Sequence, residues 1–129
     1  MSWLTNLFKS PPSGPKFRAV DWLEVEGKLR TLEELNHRND AVSAKEVILQ
    51  GDVLMDTIMK QAGVSGTTFG ERLKNVKTAM PRSGYQQAWS LHLKRNELVH
   101  EPNSFVAEWE KATHYNNLRG AISAFRSMK

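Results

Sequence analysis

The sequence predicts an all-α protein, a bundle of four to five helices, on three observations. Four segments open with a polar residue followed three positions later by Glu or Gln. Apolar residues recur at three- and four-residue spacing after these openings, and no stretch alternates apolar and polar residues over a strand's length. In the capping pattern the polar side chain takes a backbone N–H that the first helical turn leaves unpaired, and the later side chain reaches back to the cap. The chain has 129 residues, 40% hydrophobic and 25% charged, which suits one globular domain with one core.

The elements follow in order. Residues 1–16 form a separate unit, in which Trp3, Leu4, Leu7 and Phe8 share one short helical face and "KSPPSGPK" reads as a linker. This unit is expected to dock on its own domain or a neighbouring subunit. Peripheral membrane contact through residues 1–8 is the weaker alternative, since only two turns are available to bury. The helical body spans 17–129. Its first helix opens at Asp21 with Glu24 and carries Trp22, Val25, Leu29 and Leu32. The second opens at Ser43 with Glu46 and carries Val47, Leu54, Ile58 and Ala62, with Gly51 on the same face where a neighbour approaches closely. Thr68 with Glu71 opens a short third helix bearing Leu73 and Val76, and Ser83 with Gln86 opens the fourth. A last helix follows "EPNS", with Phe105, Trp109, Ala112, Leu118, Ile122 and Phe125 as its apolar face.

Composition removes several function classes. Without cysteine there is no disulfide framework, thiol nucleophile or cysteine-bound zinc, and the chain fits a reducing cytoplasm. No apolar run approaches the roughly 20 residues of a membrane span. The net charge of +4 permits phosphate-bearing partners, but acidic and basic residues are well mixed and do not demand them.

The fourth helix holds the chemistry. In "SGYQQAWSLHLKRNELVHEPN" the stripe Tyr85, Trp89, His92, Asn96 and Val99 or His100 is partly aromatic and partly polar. Trp89 and Val99 mark it as inward-facing, so His92 and Asn96 need partners or border a cleft, because an unpaired buried polar group costs about 1–3 kcal/mol. Arg95 and His100 lie about 140° apart on an ideal helix. Pro102 disfavours the helical conformation at Glu101, so His100 is expected at the helix end, with its ring free to swing toward Arg95. Asp52 and Asp56, one turn apart on the second helix, are candidate partners for Arg95 and His92.

These residues carry a resemblance. Arg95 and His100 match the Arg-x4-His motif of the HEPN superfamily, with Asn96 as its polar residue. "FRAVDW", "GDVLMD", "FGERLK" and "WSLHLKRNELVHEP" occur in an order similar to that of small bacterial HEPN-like proteins. The resemblance covers roughly Phe17 to Met128. It implies a helical bundle that forms a homodimer and cleaves RNA without a metal or cofactor. Arg95 would hold the scissile phosphate, His100 would be general acid or base, and Asn96 would orient substrate or ring. His92 would be a second proton carrier or a core histidine bonded to Asp52 or Asp56. The resemblance equally implies non-catalytic modules for dimerisation or nucleotide binding, in which Arg95, His100 and Asn96 are structural. An antitoxin or other protein partner is a further expectation, the chain being of toxin–antitoxin or defence type.

Other site classes fail on spacing. "GVSGTTFGERLK" has glycines but no Lys-Ser/Thr after them and no preceding strand, so it is no phosphate loop. His92 and His100 stand about 12 Å apart along a helix, too far to share a metal. "GERLKNVK" reads as a solvated basic face rather than a DNA-recognition helix. Trp22, Trp89 and Trp109 read as core, since stacking on RNA bases requires exposed rings.

Overall fold

The computed structural model describes residues 17–101 and 103–128; the docking expected of residues 1–8 lies outside these. Among the described residues there are five helices and no strand: α1 (Trp22–Asn36), α2 (Ala41–Gln61), α3 (Phe69–Asn75), α4 (Arg82–His100) and α5 (Glu108–Arg126). None is long and apolar enough to cross a membrane. The fold is the all-α bundle that the periodicity predicts.

α2 is the central element and packs against the other four helices. Arg18 N donates to Ala62 O and Asp21 N to Gln61 Oε1, so the start of α1 meets the end of α2 and the two run antiparallel. α4 and α5 form a second antiparallel pair, with Ser90 opposite Asn117 and Lys94 opposite Glu110. Gly84 permits that close approach, since a Cβ there would collide with Ala124. Gly51 serves α2 similarly: an added Cβ would lie 3.2 Å from Leu118 Cδ2. Val47, Ile48, Met55, Ile58, Leu73, Leu91 and Leu118 make the innermost core.

Two caps are as the capping pattern places them. Asp21 accepts from Glu24 N at 3.1 Å, and Thr68 Oγ1 accepts from Glu71 N at 3.1 Å. The other two shift toward the N-terminus. α2 is capped by Asp40, which accepts from both the backbone and the hydroxyl of Ser43, at 2.7 and 2.8 Å. A carboxylate outcompetes a hydroxyl as acceptor, so Ser43 lies inside the helix as a donor. α4 begins behind Pro81, which makes no side-chain cap bond, and Ser83 lies within the first turn.

Four apolar positions of the expected inward faces point outward. Phe105 and Trp109 are 69% and 70% exposed, and Ala112 is exposed as well. The true inward register of α5 runs through Lys111, His114, Tyr115, Leu118, Ile122 and Phe125, which turns Trp109 about 200° away from Lys111. Val99 is also exposed, at 48%; α4 instead buries the smaller stripe of Gly84, Ala88 and Leu91. Lys111 is buried because its ammonium donates to Arg38 O at 2.6 Å and pairs with Glu108 at 2.7 Å, tying α5 to the α1–α2 turn.

Candidate functional site

The stripe on α4 borders an open cleft of about 600 Å³ formed with α2 and α3. Asp52, Asp56 and Lys60 line it from α2, Arg72 and Phe69 from α3, and His92, Arg95 and Asn96 from α4. A second cavity of about 360 Å³ between α1 and α2 is lined by Leu32, Leu49, Val53 and Leu54, with Lys28 its one ionisable group. Of these two, the first gathers a histidine, two carboxylates and three cations.

His92 is the most tightly held of the polar residues. Its Nδ1 lies 2.8 Å from Asp52 Oδ1. The ring stacks on Phe69 at 4.2 Å with planes 8° apart, and meets the edge of Trp89 at 5.9 Å. Because an ionised carboxylate only accepts, Nδ1 is the nitrogen that carries a proton, and in the neutral ring that leaves the lone pair on Nε2. Nε2 bonds no protein atom among the described residues, and the His92 side chain, 12% exposed, lines the cleft.

Arg95 occupies the next turn of α4. Its Nε is 3.8 Å from Asp52 Oδ2, an ion pair without a hydrogen bond, and an NH1 proton goes to Asn96 Oδ1 at 3.0 Å. The side chain keeps 38% of its surface exposed. Asp52 is thus shared between His92 on one oxygen and, loosely, Arg95 on the other.

Asp56 is satisfied differently. Arg72 grips it with both fork arms, Nε to Oδ1 at 2.7 Å and NH2 to Oδ2 at 2.9 Å, and gives a third bond to Gly66 O at 2.7 Å. The hydrogen bonds that Arg72 donates to Asp56 raise the guanidinium pKa above its ordinary value, against the opposing effect of burial. Gly66 adopts a φ of 140° to bring its carbonyl there, a conformation that a side chain would strain. Glu71 fastens the same loop, accepting from Thr67 Oγ1 at 2.6 Å and Thr67 N at 2.7 Å, and these bonds lower its pKa. The reach-back of this cap therefore lands one residue earlier than the usual capping box. Lys60 adds a distant contact, 3.5 Å from Asp56, with 59% of its side chain exposed.

Within one chain the fold brings together Asp52, His92, Arg95 and Asn96. It does not bring His100 to Arg95. α4 ends at His100 and Glu101 is extended, but the exposed His100 ring lies outside the cleft lining and makes no side-chain hydrogen bond among the described residues. Arg72 is the cleft residue that the sequence does not single out. It sits inside "GERLKNVK", yet Phe69, Arg72, Leu73 and Val76 have the spacing of one inward face, and that spacing marks it.

Two carboxylates face three cations (Lys60, Arg72, Arg95), so these side chains give the cleft a surplus positive charge. Among the described residues no cluster of three His, Asp or Glu side chains has the arrangement of a metal site. Comparison of the chain with protein-family models, with curated proteins and with solved structures gives no match.

Proposed function

We propose that this chain is an HEPN-type RNA-binding domain that cleaves RNA without a metal, with the cleft between α2, α3 and α4 as its site. The observation that carries the reading is Arg95: a guanidinium that opens onto the cleft, steadied by Asn96 but not consumed by a hydrogen-bonded ion pair. A planar fork of this kind suits the paired oxygens of a phosphodiester. The cleft volume of about 600 Å³ is in the range that takes a nucleotide-sized group. Lys60 at the rim adds an exposed cation for a neighbouring phosphate.

In the Arg-x4-His scheme, Arg95 holds the phosphate and His100 moves the proton. Because His100 lies outside the cleft lining of its own chain, that scheme works only across a homodimer in which a second copy carries it in. A non-catalytic reading is favoured by one observation, the approach of Arg95 to Asp52. There the same residues bind a phosphate or nucleotide without turnover, or hold the bundle for dimerisation or for an antitoxin-type protein partner.

The test is cleavage of single-stranded RNA in EDTA by the native chain, Arg95→Ala and His100→Ala, with binding followed separately by fluorescence anisotropy. Metal-free cleavage that disappears in Arg95→Ala is the expected outcome. Binding without cleavage selects the non-catalytic reading. Neither binding nor cleavage, or native-level activity in Arg95→Ala, removes the cleft as the site.

A further inference from the structure

We infer that His92, oriented by Asp52, is the proton-transfer group of this cleft; this rests on the RNA-cleaving reading above and assigns its base to a residue other than His100. A useful general base needs a fixed ring, a known tautomer, a free nitrogen and a neighbouring anchor for the substrate. His92 has all four. Phe69 and Trp89 set its plane, and Asp52 sets its tautomer and height. Nε2 makes no protein hydrogen bond among the described residues, and the ring lines the wall of the cleft. Arg95, three residues on and therefore on the same side of α4, supplies the phosphate anchor beside the same carboxylate. His100 has none of these supports, being exposed at the helix end and making no side-chain hydrogen bond among the described residues.

The step balances without any further reagent but water. Nε2 of His92 takes the proton of a ribose 2′-hydroxyl, and the 2′-oxygen forms a bond to the adjacent phosphorus. The bond from phosphorus to the 5′-oxygen breaks, that oxygen takes a proton from water, and the imidazolium gives its proton to the hydroxide that remains, which restores His92. The products are a 2′,3′-cyclic phosphate and a 5′-hydroxyl, with no change of oxidation state. Asp52 stays ionised and steadies the imidazolium that forms, so it is a positioning residue. Arg95 neutralises the charge that gathers on the phosphate.

The experiment compares His92→Gln, Asp52→Asn and His100→Gln with the native chain on one single-stranded RNA in EDTA, reading kcat and KM separately. His92→Gln is expected to lower kcat about 100-fold or more at nearly unchanged KM. Asp52→Asn is expected to lower kcat about tenfold or more, and His92→Gln to cost far more kcat than His100→Gln. Nitrogen-15 NMR of the native imidazoles provides a readout that a merely structural histidine would not move. His92 should carry its proton on Nδ1, lose that preference in Asp52→Asn, and shift at Nε2 when a 2′-O-methylated RNA is added. This NMR measurement needs only the native fold, so it stands even if His92→Gln unfolds. Native cleavage that survives His92→Gln but vanishes in His100→Gln overturns this assignment and leaves the RNA reading intact. A native chain that binds RNA without cleaving it defeats the cleavage reading and this assignment together. An Nε2–H tautomer, or an Nε2 indifferent to bound RNA, overturns the assignment alone.

Discussion

Asp52 and Asp56 stand one turn apart on α2 and face one cleft, yet they are satisfied in opposite ways. Asp56 is closed: both its oxygens take charged hydrogen bonds from Arg72, whose third bond fixes the preceding loop. Asp52 is open: one oxygen holds His92, while the other has only a guanidinium 3.8 Å away. A closed pair in a nearly buried setting holds elements together, here α3 and its loop onto α2. An open carboxylate beside a half-free arginine and a histidine with a bare nitrogen has binding capacity left to give. Proximity to a cleft does not separate the two carboxylates; saturation does.

The largest expected effect comes from breaking the closed pair. Arg72→Met removes three hydrogen bonds and leaves Asp56, 17% exposed, with only the distant Lys60. Removing one partner of a buried ion pair costs about 3–5 kcal/mol, and residual access to water places this site near about 3 kcal/mol. Urea unfolding followed by circular dichroism measures it. A loss below about 1 kcal/mol would mean that the Arg72–Asp56 pair does not secure the fold. Asp52→Asn comes next, at about 1 kcal/mol in the same assay, since the amide still fills the site and can still accept from His92. If Asp52→Asn were the more destabilising of the two, the roles assigned to the carboxylates would have to be exchanged.

Much of this division was hidden in the sequence for identifiable reasons. Helix existence followed from periodicity, and the caps at Asp21 and Thr68 from spacing. Asp40 escaped because it precedes a serine that fits the same pattern, and a carboxylate that accepts two bonds from Ser43 lies outside a rule built on hydroxyl caps. The register of α5 was obscured because polar residues occupy its inward positions. Lys111 and His114 are inside, the lysine bonded to Arg38 O and Glu108, the histidine accepting from Asn117 Nδ2 at 3.3 Å and held neutral by burial. Counting apolar residues therefore selects Phe105, Trp109 and Ala112 and misplaces the first part of the face, while Leu118, Ile122 and Phe125 are buried as expected. Arg72 was hidden by the same bias, a charged residue at an inward position whose partner lies 16 residues away. Asp52, His92, Arg95 and Asn96 were legible as candidates because they interrupt an aromatic stripe. Their grouping, and the separation of His100 from them, depends on where α4 stops relative to α2, which local spacing does not encode.

Lys60 gives the smallest effect on stability and the sharpest separation of the two roles. Its ammonium is 3.5 Å from Asp56 and 59% exposed, so this contact competes with water and salt, while the Asp56–Arg72 pair does not depend on it. Exposed ion pairs contribute about 0–1 kcal/mol, and Lys60→Met should leave the unfolding free energy within about 0.5 kcal/mol of native. If the cleft takes RNA, the same substitution should weaken binding at every sequence tested. It should also flatten the plot of log affinity against log salt by about 0.7, the release expected for one phosphate of a single strand. A variant that loses stability but keeps its salt slope would place Lys60 with Arg72 among the residues that hold the bundle. A changed slope at constant stability places it with Arg95, on the side of the cleft that meets a phosphate.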